Sequence, residues 1–518
     1  MSNTRTIAKN TGWYGLETVI SQLVSIITSI AVARYLGPSK TSYIIYVSYI
    51  AGVVSALGGL GISAATCKYM AEFIGSGDKG TARYIFFRTF LMQVALASLA
   101  TAAIVYWVLH RADPEYRLAA LLIVLSIWPS MVNSIPAMAN MASENLAANL
   151  PASVISIFVY LFSILASVVF HWGVVGIGAS CLLMRLVDFL VRLFPTLRRV
   201  LKWESGHALP EGVRNRMFTF AWKSVCTMML SLVVWERFEI LLLKRLCSDI
   251  NQVAYYSIAF SMGNMLLLSA TIFGVASGAT IFAQFGRDKS KLPQLASTSF
   301  RYLTLTSVPL HAVATALAFP ALIFLYGAKY TDAAMVVTIA PLLCMPKAFA
   351  GPIQSLLQST ERQAYVIATM VIAGIVDVGV TSALVSAHGA VGACIGSGAA
   401  QITAVGIMWA IGARKFGIRL PWMLAAKIAI ISTTAALAAH FVTRLLSPLW
   451  GILLGGGIAF VVLVTLTRLL RILEPEDYTR FAQLTGALPR PVAVFADRFL
   501  ALLIRIERAP MQGELTQR

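Results

Sequence analysis

The feature that most constrains this chain is a series of fourteen apolar blocks, most of them more than 20 residues long, that occupies nearly all of the sequence up to residue 471. A helix of about 20 apolar residues is long enough to cross a hydrocarbon core about 30 Å thick. Because lipid offers no hydrogen bonds to the backbone, each block is predicted to be a helix. The predicted spans are 13–35, 43–72, 84–109, 117–143, 149–170, 174–199, 217–243, 253–284, 301–326, 332–357, 363–386, 390–413, 422–444 and 449–471.

The composition agrees with an all-α integral membrane protein. Hydrophobic residues make up 58% of the 518 residues and charged residues only 12%, compared with about 25% charged residues in soluble domains. The net charge is +19, but the cations lie in the gaps between apolar blocks. This placement is typical of topology determinants, so nucleic acid is not an expected partner.

The distribution of these cations predicts the orientation. If the N-terminus is cytoplasmic, the even-numbered connections carry a clear excess of Lys and Arg, which favours cytoplasmic N- and C-termini. The run Ala31-Val32-Ala33 mimics a signal-peptidase site. The stretch before it is long and contains Glu17 and Gln22, so it is interpreted as a first transmembrane helix.

A weak internal repeat predicts the domain organisation. Arg34-Tyr35-Leu36 recurs as Lys244-Arg245-Leu246, and the glycine run that begins at Gly173 recurs at Gly389. A near-constant offset indicates a duplication of six spans, related by an axis along the membrane normal. The predicted domains are an N-lobe at 1–212, a C-lobe at 213–416, spans thirteen and fourteen at 417–473, and a cytoplasmic amphipathic tail at 474–518.

The tail is predicted to contain an interfacial helix. Phe495, Phe499, Leu502 and Ile506 share one helical face, as in helices that lie on a membrane surface. Docking of this helix on the membrane and docking on the protein's own cytoplasmic face remain equal alternatives.

The motifs of enzymes and of self-powered pumps do not occur. The sequence has no nucleotide-binding loop, no nucleophile elbow and no HExxH run. Its six cysteines contain no C-x-x-C pair, so neither a metal nor another cofactor is expected, and the protein is not predicted to be an enzyme. The glycine clusters 58–61 and 455–457 lie inside apolar blocks, which favours close helix packing.

Charges inside the spans are the candidate functional residues, since each costs about 2.5–3.5 kcal/mol at a helix centre. In span six, Arg185, Asp188 and Arg192 lie at i, i+3 and i+7, on one helical face. Asp188 can neutralise one guanidinium and leave the other free to bind a phosphate. The alternative is a structural bridge, with Arg192 reaching the cytoplasmic interface.

The other charged positions divide by sign. Lys223 and Arg237 of span seven are candidate ligands for an anionic headgroup, whereas Glu239 fits an interfacial ion pair. Asp377 of span eleven and Glu17 of span one, together with Asp188, are candidates for ion coupling. A structural hydrogen bond is the alternative for Asp377, and solvent exposure is the alternative for Glu17.

Proline recurs at equivalent places in the two halves. Span four contains Pro129 and Pro136, and span ten contains Pro341, Pro346 and Pro352. Paired broken helices often form moving or site-forming segments in transporters, although static kinks would leave the same pattern.

Short motifs in a fixed order carry a family resemblance. They are Ala33-Arg34-Tyr35-Leu36-Gly37-Pro38, Lys68-Tyr69-Met70-Ala71-Glu72-Phe73, Glu239-Ile240-Leu241-Leu242-Leu243, Tyr326-Gly327-Ala328-Lys329-Tyr330 and the run from His388 to Ala393. Over roughly residues 12–470, the sequence resembles the polysaccharide-transporter branch, the O-antigen and exopolysaccharide flippases, of the multidrug/oligosaccharidyl-lipid/polysaccharide exporter superfamily. One departure is Glu236-Arg237-Phe238, where members often carry Asp after Arg or Gln.

The resemblance implies a MATE-like fold in which two six-helix lobes enclose a V-shaped cavity, with two extra C-terminal helices. It implies alternating-access transport of an undecaprenyl-pyrophosphate-linked oligosaccharide to the periplasmic leaflet of a bacterial cytoplasmic membrane. The pathway would be lipopolysaccharide or exopolysaccharide biosynthesis. The implied partners are the lipid-linked oligosaccharide, membrane lipids, a polysaccharide polymerase and export machinery.

Three alternatives compete with this function, and the third is either a non-transporting membrane scaffold or a glycan polymerase. A cation- or proton-coupled multidrug exporter of the same fold would favour a carboxylate-lined, aromatic cavity. A flippase for a peptidoglycan lipid precursor is the second. A glycan polymerase needs a large extracytoplasmic loop, and the odd-numbered connections here are short.

Overall fold

Helices make up the regular secondary structure of the computed structural model, which describes residues 2–204 and 209–473. Strands do not occur in these ranges. The α-helices are α1 (Ser2–Gly58), α2 (Ile62–Gly75), α3 (Lys79–Arg111), α4 (Arg117–Leu125), α5 (Ile127–Ala142), α6 (Leu150–Val169), α7 (Gly173–Leu201), α8 (Val213–Trp235), α9 (Glu239–Leu246), α10 (Asn251–Leu266), α11 (Leu268–Arg287), α12 (Leu292–Tyr326), α13 (Ala334–Cys344), α14 (Ala350–Ser359), α15 (Gln363–Phe416), α16 (Trp422–Leu445) and α17 (Pro448–Leu469).

The predicted all-helical, multi-pass class is confirmed. In the described ranges, 11 helical segments are long and apolar enough to cross a membrane, or 12 if α10 and the start of α11 form one broken span. Two of these segments contain a sharp bend at a glycine with positive φ, Gly37 in α1 and Gly389 in α15. The 54 residues of α15 correspond to about 80 Å of helix, more than twice a hydrocarbon core. Fourteen crossings therefore stay a prediction.

Several spans that the sequence predicted as continuous helices are broken. Span four is divided into α4 and α5, and α4 ends at Leu125. Pro129 has no amide hydrogen, so it cannot form the helical hydrogen bond to the Leu125 carbonyl. Span two is interrupted before Gly61, which has φ +69° and packs so closely on the Ala221 carbonyl that a Cβ has no room. In span ten a 3₁₀ segment, Met345–Phe349, separates α13 from α14.

The described chain divides into two compact units. The first contains the residues up to Met265, Leu325–Lys347 and Glu361–Met408, and the second contains Leu266–Phe324, Ala348–Thr360 and the residues from Trp409 onward. These units are formed by contacts within the chain and do not test the predicted lobes at 1–212 and 213–416, which stay a prediction. The tail at 474–518 lies outside the described residues.

The core of the first unit is aliphatic. Ile123 and Ile127 of the broken span four pack with Ile164 of α6 and Ile177 of α7, all at most 2% exposed. A second cluster joins α2, α3, α5 and α8 around Tyr69. These contacts hold α7 and α8 in fixed positions, and both helices carry predicted site residues.

Small residues form the contact between α16 and α17 in the second unit. Helices α16 and α17 meet along Ala435, Ala439, Gly455 and Ala459, because helices in lipid associate best where their backbones approach closely. A Cβ on Gly455 would lie 3.3 Å from the Ala439 carbonyl oxygen. This contact supports the packing role predicted for the glycine cluster 455–457.

The glycines of the predicted repeat have matching backbone roles. Gly173 and Gly389 both adopt positive φ, 60° and 53°, where glycine is favoured. The amide of Gly173 donates to the Tyr35 hydroxyl at 2.9 Å, and the amide of Ala390 donates to Gln252 Oε1 at 2.9 Å. A side chain thus accepts from a backbone amide at or directly after each glycine, and the duplication itself stays a prediction.

Candidate functional site

A cavity of about 750 Å³ lies within the first unit. Helices α1, α6, α7, α8 and α9 and the break between α8 and α9 form its walls. Its size falls in the range of small-molecule sites, roughly 300–1,000 Å³. The lining residues are Ser25, Thr28, Ser29, Val32, Thr41, Ile44, Ile45, Ser48, Tyr49, Gly52, Val53, Ala56, Tyr160, Ile177, Arg185, Met228, Ser231, Leu232, Glu236, Arg237 and Ile240.

Hydroxyl groups make up much of the polar lining. Ser25, Thr28, Ser29 and Ser48 come from α1, and Ser231 comes from α8. The Thr28 hydroxyl donates to the Val24 carbonyl at 2.9 Å, so its lone pairs stay free to accept. Such a wall can form hydrogen bonds with a ligand that carries many hydroxyl groups. When water fills the cavity, the same groups bond to water, so the wall costs little free energy.

Arg185 and Arg237, two of the predicted cations, line this same cavity. Arg185 extends from α7 and is exposed, and it forms no ion pair with any carboxylate of the described chain. The cavity wall contains one carboxylate, Glu236. Among the residues that line the cavity, guanidinium groups thus outnumber carboxylates by two to one, and this excess favours an anionic ligand.

The break between α8 and α9 positions Arg237. Glu236 has extended backbone angles, so α8 ends at Trp235 and Arg237 leaves the helical course. The Arg237 guanidinium donates to Ser261 Oγ at 3.1 Å and lies 5.0 Å from the centre of the Phe260 ring. These contacts with α10 restrict the side chain at the cavity wall.

Arg192 has a different environment from Arg185. It is 9% exposed, and its guanidinium bonds Asp188 Oδ1 at 2.6 Å and Ser153 Oγ at 3.1 Å. The second oxygen of Asp188 accepts from the Asn133 amide at 2.6 Å. These contacts form the structural bridge that one alternative expected, and the position of Arg192 relative to the membrane interface stays a prediction. Of the two arginines on this face, Arg192 is the one that Asp188 neutralises.

Neither Lys223 nor Glu17 lines the cavity. Lys223 is exposed on α8, and Glu17 is half-buried near the start of α1. The structure therefore brings together Arg185 and Arg237 among the predicted headgroup ligands, and it separates them from Lys223 and from the buried pair Arg192–Asp188.

A buried carboxylate pair lies close to this cavity, within electrostatic range of Tyr49 and Arg237, which line it. Asp377 of α15 and Glu239 of α9 are both 0% exposed, and each lies within electrostatic range of the other. Thr381 donates to Asp377 Oδ1 at 2.9 Å, while Asp377 Oδ2 lacks a hydrogen-bond partner among the described residues, and the Glu239 carboxyl lies beside the Tyr256 hydroxyl. Glu239 is thus a buried group, and the interfacial role expected for it is wrong.

Lys347 was not singled out from the sequence. Its ammonium group donates to the Trp235 carbonyl at 2.8 Å, at the broken end of α8, and lies 3.5 Å from Asn264 Oδ1. A freed carbonyl in a membrane protein is costly, and a cation is favoured at a helix C-terminus. The sequence feature that could have identified Lys347 is its position as a lone lysine next to Pro346 in an otherwise apolar span.

Comparisons with known proteins identify the fold of this chain. No protein-family model matches the sequence, and a comparison with curated proteins finds no match. Among solved structures, the lipid II flippase MurJ in an inward closed conformation is similar over 88% of this chain and 98% of its own, with 14% identity and a TM-score of 0.70. The chain has the fold of MOP-superfamily transporters.

Two further structures show the range of proteins that share this fold. An inward-facing MATE-family multidrug resistance transporter of the MOP superfamily has a TM-score of 0.65 at 14% identity, covering 77% of this chain and 94% of its own. A MOP-superfamily transporter from Pyrococcus furiosus, described as having a binding pocket of reverse polarity, has a TM-score of 0.59 at 13% identity, covering 80% of this chain and 95% of its own. The shared fold does not select a substrate.

Proposed function

We propose that this protein is a flippase that moves an undecaprenyl-pyrophosphate-linked oligosaccharide to the periplasmic leaflet of a bacterial cytoplasmic membrane by alternating access. The observation that carries the proposal is the pair Arg185 and Arg237 on one hydroxyl-rich cavity. A guanidinium group can donate two parallel hydrogen bonds to the oxygens of one phosphate. The hydroxyl groups of α1 can form hydrogen bonds with a sugar. The isoprenoid chain needs no protein pocket, because it is stable in the hydrocarbon core.

The headgroup roles follow from what each cation already contacts. Arg185 and Arg237 are assigned to the pyrophosphate, since both line the cavity. Arg192 is assigned a structural role, since Asp188 and Ser153 engage its guanidinium. Lys223 is assigned to surface attraction of the anionic lipid, because its side chain is exposed and lies apart from the cavity.

Coupling to an ion is assigned to Asp377 together with Glu239. Two neighbouring buried carboxyl groups with no cation partner among the described residues are costly unless a proton or a cation compensates them. Asp188 is less suited to this role, because Arg192 and Asn133 occupy its oxygens. Glu17 lies outside both sites and receives no assigned role.

The multidrug exporter is the main competing function. The MATE-family structures are similar in fold, and the buried Asp377–Glu239 pair would serve cation coupling there as well. The cavity argues against it, because a cationic drug would meet two guanidinium groups and one carboxylate, Glu236. A peptidoglycan lipid precursor is also an anionic lipid-linked sugar, and the same cavity charge fits it.

The test is transport in proteoliposomes with a fluorescent undecaprenyl-pyrophosphate disaccharide as the probe. A charge-assisted hydrogen bond contributes about 1.5–3 kcal/mol, so Arg185→Ala and Arg237→Ala are each expected to weaken probe binding by about 10- to 100-fold. Arg111→Ala is the matched control, because Arg111 is exposed at the end of α3 and lies outside the cavity. Unchanged transport in both cavity variants, or transport of ethidium in place of the probe, would overturn the proposal.

A further inference from the structure

The C-terminal end of α7 carries a cluster of cations that the transport cavity does not use. Arg198, Arg199 and Lys202 line a groove of about 550 Å³ together with Phe194 and Pro195. None of these five residues lines the transport cavity. The groove therefore needs an explanation of its own.

Neutralisation of the helix end does not account for these cations. Arg83 of α3 already performs that role, since its guanidinium donates to the carbonyls of Leu201 at 3.1 Å and Trp203 at 2.7 Å. The ion pairs within the described ranges involve other residues. Arg198, Arg199 and Lys202 thus concentrate positive charge at one place without a carboxylate partner in the described chain.

Arg199 is held in place by the fold. It is half-buried, and its guanidinium donates to Asn140 Oδ1 at 2.6 Å. The same oxygen accepts from Thr196 at 3.0 Å, and the Asn140 amide donates to Asn149 at 2.7 Å. An arginine that only reached for solvent would not need this network. The network fixes one guanidinium at the groove before any ligand binds.

The position of the groove along α7 corresponds to the headgroup level of a membrane. Arg198 lies 25 residues beyond Gly173, about 38 Å along the helix and past a hydrocarbon core of about 30 Å. Leu190, Phe194, Arg198 and Lys202 follow at intervals of four and share one helical face. Leu190 and Phe194 are 43% and 55% exposed. Apolar side chains therefore lead directly into the cationic groove.

We propose that this groove binds the headgroup phosphate of an anionic phospholipid, with the acyl chains lying along Leu190 and Phe194. Phosphate explains a cluster of cations that have no carboxylate partner among residues 2–204 and 209–473, and the adjoining exposed apolar stripe suits a ligand that carries hydrocarbon. A soluble phosphate compound would gain nothing from that stripe. Basic pockets at this level of a membrane bind anionic lipid headgroups in other proteins. The site is independent of the substrate that the cavity takes.

The experiment compares lipid-dependent thermal stability of the full-length protein in nanodiscs. Phosphatidylglycerol is expected to raise the unfolding temperature relative to phosphatidylcholine, and the double variant Arg198→Gln/Lys202→Gln is expected to lose most of that increase. The matched control is Arg414→Gln/Lys415→Gln, which removes two exposed cations from the end of α15. The control is expected to keep the increase, because those residues line neither groove nor cavity.

Three outcomes would overturn the proposal. An equal loss in both double variants would indicate general attraction between charges. An unfolding temperature that is equal in phosphatidylglycerol and phosphatidylcholine would exclude a role for the anionic headgroup. An equal increase on addition of glycerol 3-phosphate would identify a soluble phosphate as the ligand. If the groove variant fails to fold, photocrosslinking of the unmodified protein with a diazirine-labelled phosphatidylglycerol decides. Label is expected on the peptide that contains Leu190 and Phe194, and its absence there contradicts the site.

Discussion

Removal of the Asp188 carboxylate is the perturbation that best separates a structural role of the charges on α7 from a role in transport. In the variant Asp188→Leu, the buried Arg192 loses its 2.6 Å ion pair and keeps only the contact with Ser153. The Asn133 amide loses its acceptor at the same time. Breaking a buried pair by removing one partner costs about 3–5 kcal/mol, because the other charge stays buried and uncompensated.

The double variant Asp188→Leu/Arg192→Met tests this reason. Replacing both charges by apolar residues removes the uncompensated guanidinium, and such replacements are often neutral or stabilising. The free energy of unfolding, measured by titration with dodecyl sulfate in mixed micelles, is therefore expected to fall by about 3–5 kcal/mol in the single variant. In the double variant it should return to within about 1–2 kcal/mol of the parent, since the groups that lose a partner, the Asn133 amide and the Ser153 hydroxyl, are both uncharged.

Transport by the double variant then identifies the role of Arg192. If Arg192 is structural, the double variant moves the fluorescent lipid-linked disaccharide at a rate near that of the parent, while Arg185→Ala does not. A single variant as stable as the parent would refute the reasoning about the buried charge. A double variant that is stable but does not transport would make Arg192 a substrate ligand.

Three further predictions concern other described residues. Lys347→Met leaves the Trp235 carbonyl unpaired at the broken end of α8, so the free energy of unfolding should fall by about 1.5–3 kcal/mol. Lys347→Arg should recover part of this loss, and equal stability of Lys347→Met and the parent contradicts the prediction. Gly61→Ala meets the Ala221 carbonyl at positive φ and should cost about 1–3 kcal/mol, measured in the same titration, and a loss below about 0.5 kcal/mol contradicts the close packing. Asp377→Asn should abolish the dependence of transport on a proton or sodium gradient while probe binding persists, and unaltered gradient dependence would exclude the coupling role.

The fold class could be predicted from the sequence because it depends on a local quantity. Whether a segment of about 20 residues is apolar enough to leave water is decided by its own composition, and the structure confirms an all-helical chain with 11 or 12 such segments in the ranges it describes. The breaks could be predicted only in part. Pro129 and the proline-rich span ten were signals for two of them, whereas the interruption after Trp235 had no comparable signal.

The candidate site, too, could be predicted from the sequence only in part. The face shared by Arg185, Asp188 and Arg192 follows from helical spacing, and the sequence correctly indicated that Asp188 can satisfy one arginine. Which arginine is satisfied depends on Asn133 and Ser153, which come from other helices. No local pattern contains that information.

The sequence by itself determined that this chain is a multi-pass helical membrane protein and that a few charges inside its spans require a cavity or a partner. The reason is that transfer of a segment into lipid depends on the residues of that segment alone. Tertiary structure decided which charges lie near one another: Arg185 and Arg237 line the same cavity, Arg192 pairs with Asp188, and Asp377 lies near Glu239. These encounters depend on how distant helices pack, and packing energy is summed over many residues that are far apart in the chain.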